Sequence, residues 1–459
     1  MKLNGFLIKS ALVASLGGLL FGFDTAVISG AEEALENVVF KATYENLANT
    51  FHYGFLTNVK FWHGFTTASA LIGTILGALL VFKPSDTFGR KKTLIFLGFL
   101  YFISAVGSAY SWSWGSFVIF RLIGGLAVGG SSVVGPIYIA EISPAKKRGG
   151  LVALMQFNIV SGIFLAYVSN WYIGRMDLGA MEWRWMFGVE AFPAIAFSLL
   201  MLGNPLSPRW LLARDRESTA TGIMEKLGVA DVQGEVNEIK EAMAEDHHLK
   251  NEPFFCKKYM IPISLAFTIA AFNQLSGINA LLYYTKRIFG MAGANSENAL
   301  MQGVIVGAVM VVFTMLALLI IDKVGRKKLM LWGSIGYIAS LGTVAWAFHT
   351  GQGGQLVLWA FIVFLAAHGF GQGAVIWVFI SEIFPTSVRA KGQALGSFTH
   401  WFMCALIAWS FPIFATESRA GYVFGFYAIM MVLQLVWVIL VMPETKGISL
   451  EQLQKKFIK

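Results

Sequence analysis

Three ionisable residues sit inside long apolar stretches of this 459-residue chain: Asp24, Arg121 and Glu190. A charge in hydrocarbon is costly and persists where it meets a partner or a watered cavity. Asp24 lies about six residues from one end of its stretch, Arg121 about four and Glu190 about six; at about 1.5 Å per residue all three share a depth within about one helical turn. An Asp beside an Arg stays ionised, whereas desolvation drives the same carboxyl towards protonation. A carboxyl that alternates between those surroundings takes up a proton on one side of a membrane and releases it on the other. The bland alternative is a static ion pair that fixes helix packing, and Glu190 fits an assisting or a structural role.

A second set of residues is neutral. Asn273, Gln274, Asn279 and Tyr283 share one apolar stretch, and Gln156, Trp377, His400, Trp401 and Phe21 lie in others. Amides both donate and accept hydrogen bonds, and an aromatic ring offers a flat apolar face. Together they suit a neutral polyol. The spacings of five and four between Gln274, Asn279 and Tyr283 do not form one stripe on an ideal helix, but a break at Gly277 would let them converge. Membrane amides also bridge helices, a membrane Trp also belongs to an interfacial belt, and His368 reads as a packed polar residue.

The elements that position these groups follow from composition. Hydrophobic residues make up 56% of the chain and charged residues 13%, against about 25% charged in soluble domains. Apolar runs of about 20 residues suit spanning helices rather than barrel strands. We read twelve, from 10–30 to 420–442, including 117–139, 184–203, 258–280, 356–380 and 393–412. The first run follows Lys2 and Lys9 but lacks a cleavage pattern, so it is expected to be a retained helix. Lys and Arg concentrate in alternate loops, at 83–92, 146–148, 323–328 and 389–391, whereas the first loop carries Glu32, Glu33, Glu36 and Glu45. That asymmetry predicts cytoplasmic termini, and it accounts for most of the net charge of +9 without invoking nucleic acid. Cys256 and Cys404 have no metal or disulfide spacing. No nucleophile–base pair or metal cluster stands out, so neither an enzyme nor a cofactor is expected. The organisation expected is an N-terminal six-helix half at 1–203, a cytoplasmic linker with short helices at 204–257, a second half at 258–442 and a short tail at 443–459.

The halves are marked by repeated strings. DTFGRKK begins at Asp86 and AEISPAKKRG contains Glu141; DKVGRKK begins at Asp322 and SEIFPTSVRAKG contains Glu382. Recurrence in the same order at nearly the same interval indicates a duplicated unit. Asp86, Arg90, Glu141 and Arg148, with Asp322, Arg326, Glu382 and Arg389, could latch the cytoplasmic side in one state and part in another.

The strings, with GGLLFGFDTAVISGA from Gly17, RLIGGLAVGG from Arg121, NQLSGINALLYY from Asn273, WVFISEIFP from Trp377 and PETKG from Pro443, resemble the sugar porter family of the major facilitator superfamily. That family spans bacterial proton-coupled sugar symporters and animal glucose facilitators. The resemblance covers the whole chain. It implies an all-α membrane fold of twelve helices in two six-helix pseudo-symmetric halves, a bacterial inner-membrane (plasma-membrane) location and a monomer whose partners are a monosaccharide, a proton and the bilayer. The implied function is proton-coupled transport of a hexose or pentose by alternating access; a uniporter or a sugar receptor is the alternative, though the 443–459 tail offers a receptor little to signal through. The resemblance implies proton coupling for Asp24 and Arg121, with Glu190 assisting, and sugar contact for Gln156, Gln274, Asn279, Trp377 and Trp401. Departures occur where Asn273 replaces a second Gln, His400 an amide, Ile163 a Gln, Ala374 a Pro, Phe82 a Gly and Leu206 an acidic residue.

Overall fold

The computed structural model describes residues 4–144, 147–249, 253–385 and 388–446. Beyond residue 446 the expected tail lies outside the described residues, as do Lys146 and the side chain of Asp322. Among the described residues the regular structure is helical, and twelve helices are long and apolar enough to cross a membrane. They are α1 (Gly5–Val39), α2 (Val59–Leu80), α3 (Arg90–Ala109), α4 (Trp114–Ile142), α5 (Arg148–Gly174), α6 (Gly179–Leu202), α7 (Lys257–Tyr283), α8 (Ser296–Ile321), α9 (Arg326–Thr350), α10 (Gln355–Ile383), α11 (Arg389–Phe414) and α12 (Ala420–Leu440). The first helix runs past the end of its expected apolar run: it continues to Ala34 and finishes in a π-helical turn at Leu35–Val39.

Contacts divide the chain into two compact units that interleave along the sequence. The first comprises Met1–Asp24, Ile72–Ile163 and Phe187–Glu252. Its helices touch backbone to backbone where the sequence is glycine: a Cβ on Gly22 of α1 would sit 1.9 Å from the Ile159 carbonyl of α5, and one on Gly129 of α4 would sit 2.1 Å from the Thr74 carbonyl of α2. In hydrocarbon, close packing of this kind replaces the hydrophobic effect as the force between helices. The linker as far as Leu249 belongs to this unit. Its helices Pro208–Leu212, Glu217–Leu227 and Val232–Leu249 enclose a small core of Trp210, Leu211, Leu212, Ala220, Met224 and Val236.

The second unit comprises Thr25–Leu71, Phe164–Met186 and Pro253–Lys459. It joins the ends of α1, α2, α5 and α6 remote from the basic loops to the C-terminal helices. Tyr167 of α5 donates to the Leu282 carbonyl at 2.9 Å, and Trp409 of α11 donates to the Phe61 carbonyl of α2 at 3.0 Å. Gly64 makes the second contact possible, since a Cβ there would meet the Trp409 carbonyl at 2.0 Å.

Candidate functional site

In the first unit Arg121 and Asp24 meet. Arg121 donates through Nη1 to Asp24 Oδ1 at 2.6 Å and through Nη2 to Oδ2 at 3.3 Å, with both side chains almost wholly buried. Gly124, one turn along α4, clears the space: a Cβ there would lie 2.3 Å from Ser104 Oγ and 3.5 Å from Asp24 Oδ1. The guanidinium stacks over Phe187, 5.2 Å from the ring centre. Glu190 is 2% exposed and near enough to Asp24 and Arg121 to feel both charges, while its Oε1 has no protein partner. Local chemistry explains how Glu190 reaches inward: α6 is interrupted at Val189 and Glu190, between helices Glu182–Gly188 and Ala191–Leu202. Pro193 has no N–H for the Val189 carbonyl, so the helical ladder cannot close there. All three charged residues singled out from the sequence therefore converge.

The neutral set converges in the second unit. The expected break in α7 is present: Gly277 has φ +82°, between helices Met260–Leu275 and Ile278–Tyr283, with the Tyr427 ring 2.6 Å from where a Cβ would stand. The break turns Asn279 back on Gln274, donating from Nδ2 to Gln274 Oε1 at 2.7 Å. Gln274 donates in turn from Nε2 to Asn273 Oδ1 at 2.9 Å, and the same nitrogen lies 3.2 Å from His400 Nδ1. The His400 ring sits 5.2 Å from that of Trp377 and 5.0 Å from that of Trp401. Gln274 is the hub of an amide chain with an indole wall. Trp401 and Tyr283 are buried, whereas Trp377 and His400 are half-buried. Phe21 and Gln156, both half-buried, belong to the first unit. As expected, His368 is packed: its Nδ1 lies 2.6 Å from the Tyr337 hydroxyl.

The duplicated strings form the same construction twice. In the first unit Arg90 pairs with Glu141 at 3.0 Å and Asp86 at 2.9 Å, and Ser207 donates to Glu141 at 2.5 Å. In the second, Arg326 pairs with Glu382 at 2.7 Å and Thr445 donates to Glu382 at 2.6 Å. Arg148 donates to the backbone carbonyl of Ala140 in the last turn of α4, and Arg389 to that of Phe384 just past α10. Among the described residues the copies differ at the position before the Ser207 and Thr445 hydroxyls. Glu444 accepts from the Arg326 and Lys327 backbone N–H groups at 3.0 and 3.1 Å, neutralising the N-terminus of α9; Leu206 occupies the matching place before Ser207 and packs on the linker core instead.

One charged cluster was not anticipated. Glu32 on α1, His63 on α2 and Arg287 on the short helix Thr285–Met291 are all buried in the second unit. Arg287 donates to Glu32 Oε1 at 2.9 Å and Oε2 at 2.6 Å and pairs also with Glu36, while His63 Nε2 lies 3.0 Å from Glu32 Oε2. Burial works against the Arg287 charge, but Glu32 and Glu36 outweigh it and hold the guanidinium above its ordinary pKa. The sequence signal was Glu32 and Glu36 one helical turn apart, with Arg287 following the broken α7.

Known proteins share this architecture. A family model described as sugar (and other) transporter matches residues 10–457. The chain belongs to this sugar transporter family of the major facilitator superfamily. It is 37% identical to the D-xylose-proton symporter of Escherichia coli K12, over 98% of this chain and 96% of that protein. It is 32% identical to the arabinose-proton symporter of Bacillus subtilis, over 99% and 96% respectively. A partially occluded inward-open structure of the E. coli xylose transporter XylE superposes with a TM-score of 0.85 at 34% identity, covering 97% of this chain and all of that one. The sugar transporter is therefore an all-α, multi-pass protein of the plasma membrane and a carrier rather than an enzyme.

Proposed function

We propose that the chain is a proton-coupled symporter that moves a monosaccharide, a hexose or a pentose, by alternating access. The observation that carries this reading is the buried Asp24–Arg121 pair with Glu190 against Asp24. Two carboxyls facing one guanidinium are neutral as a set only when one proton is bound, so proton occupancy and the local packing depend on each other. A change of conformation that parts Asp24 from Arg121 changes its proton affinity, and this linkage is what coupling requires. We assign sugar contact to Gln274, Asn273, Asn279 and His400, with Trp377 and Trp401 as apolar walls, and give the same role to Tyr283, Gln156 and Phe21. The basic loops take the cytoplasmic side, where Arg90–Glu141 and Arg326–Glu382 brace the helix ends that the latch would join and part. The sequence halves 1–203 and 258–442 serve as the rocking bodies, within a single chain.

Liposome transport tests the reading. The purified protein should concentrate a labelled monosaccharide when an inward proton gradient is imposed, and only equilibrate it when a protonophore collapses the gradient. Equal equilibration with and without the gradient makes the protein a uniporter. Asp24→Asn should abolish accumulation while sugar exchange continues; a variant that still concentrates sugar removes Asp24 from the proton path.

A further inference from the structure

The Glu32–Glu36–His63–Arg287 cluster takes no part in the proton or sugar chemistry assigned above, yet it gathers four ionisable side chains in the second unit, three of them buried. It ties three elements together. Glu32 and Glu36 come from the end of α1, where the π-helical turn begins at Leu35 and keeps both carboxylates on one side. His63 comes from α2, and Arg287 from a helix more than two hundred residues later in the chain. Glu32 and His63 are 0% exposed and Arg287 is 8% exposed. The carboxylates and the imidazole place ligand atoms within 4.8 Å of one another, the spacing of a cation site, and the Arg287 guanidinium is the cation that fills it. Aromatic rings border it: the guanidinium carbon lies 5.7 Å from the Tyr284 ring centre, and the Tyr44 and His63 ring centres are 5.9 Å apart. A more exposed pair, Lys286–Glu33 at 3.6 Å, flanks it.

A bidentate Arg–carboxylate pair out of water is stable only while both partners stay; separated, each must be rehydrated. An ion set shared between elements that have to part therefore has two natural states, closed and dry or open and wet. All four residues lie at the ends of their helices remote from the basic loops, next to the broken segment of α7 that also carries Asn279 and Tyr283.

We propose that Arg287, bound to Glu32, Glu36 and His63, is the lock that closes the outer side of the transporter between uptake events, and that releasing it admits sugar from outside. This inference rests on the transport reading, but its test reads the lock without sugar or gradient. Thr67, fully buried one helical turn beyond His63 on α2, is replaced by cysteine in a chain whose Cys256 is serine. Labelling by a membrane-impermeant maleimide is then timed on the purified full-length protein. Native Cys404, buried in α11, is the internal control for general loosening.

With the lock intact, Thr67→Cys should react slowly. Arg287→Gln should speed its labelling at least about tenfold, a shift of about 1.4 kcal/mol towards the open state, with Cys404 unchanged. Arg287→Lys, which keeps the charge but loses the fork, should fall between. Glu36→Gln, at the less buried edge of the cluster, decides the matter by the same measurement if Arg287→Gln does not fold, with a smaller rise expected. Unchanged Thr67→Cys labelling in a folded variant, or an equal rise at Cys404, overturns the lock. A transport assay that fails while the labelling shift is present would count against the symport reading and leave the lock standing.

Discussion

Gln274 shows how much a single side chain organises. Its amide reaches Asn273, Asn279 and His400 at once, so truncation orphans partners on both sides of the α7 break. A buried donor or acceptor left unpaired costs about 1–3 kcal/mol. Gln274→Ala should therefore weaken sugar binding by about tenfold or more, measured by calorimetry or by quenching of the nearby indoles, and unchanged affinity would remove Gln274 from the site. Asp24, Arg121 and Glu190 were legible in the sequence because charge in an apolar run is rare and their depths agree. Glu32 was not legible in the same way. As one of several acids just past an apolar run, it read as a loop residue, and its partners Arg287 and His63 make its burial in a helix tolerable.

Breaks and ends give the elements their function. The Gly277 break was legible because the residues around it share no stripe on an ideal helix and a glycine stands between them, and the positive φ there favours glycine. Gly277→Ala adds about 1–2 kcal/mol of backbone strain as well as a clash with Tyr427. It should lower both thermal stability and sugar affinity, and a variant normal in both would show that the break tolerates a side chain. At the helix ends beside the basic loops, the two copies differ among the described residues at Glu444 and Leu206. Glu444→Ala should cost about 1 kcal/mol, the usual worth of a helix cap, seen as a lower melting temperature. The matching change Leu206→Ala should act through the linker core instead, loosening Trp210 and its neighbours, with protease sensitivity of the linker as the readout.

At the scale of the whole molecule, coupling has a thermodynamic ceiling. Each pH unit of gradient supplies about 1.4 kcal/mol per proton, so one proton per sugar supports at most about tenfold accumulation per unit. The plateau of sugar uptake against imposed gradient should follow that slope; a hundredfold plateau per unit would require two protons. Periodicity, the doubled strings and alternating loop charge by themselves determined the membrane helices, their number and the duplication, because each reflects a local contest between hydrocarbon and water. Tertiary structure alone decided that the ends of α1, α2 and α5 pack with the C-terminal helices, and that Glu32 and Glu36 find Arg287. Contacts made across such distances in the chain depend on which surfaces are complementary, and complementarity is a property of folded surfaces that no local pattern records.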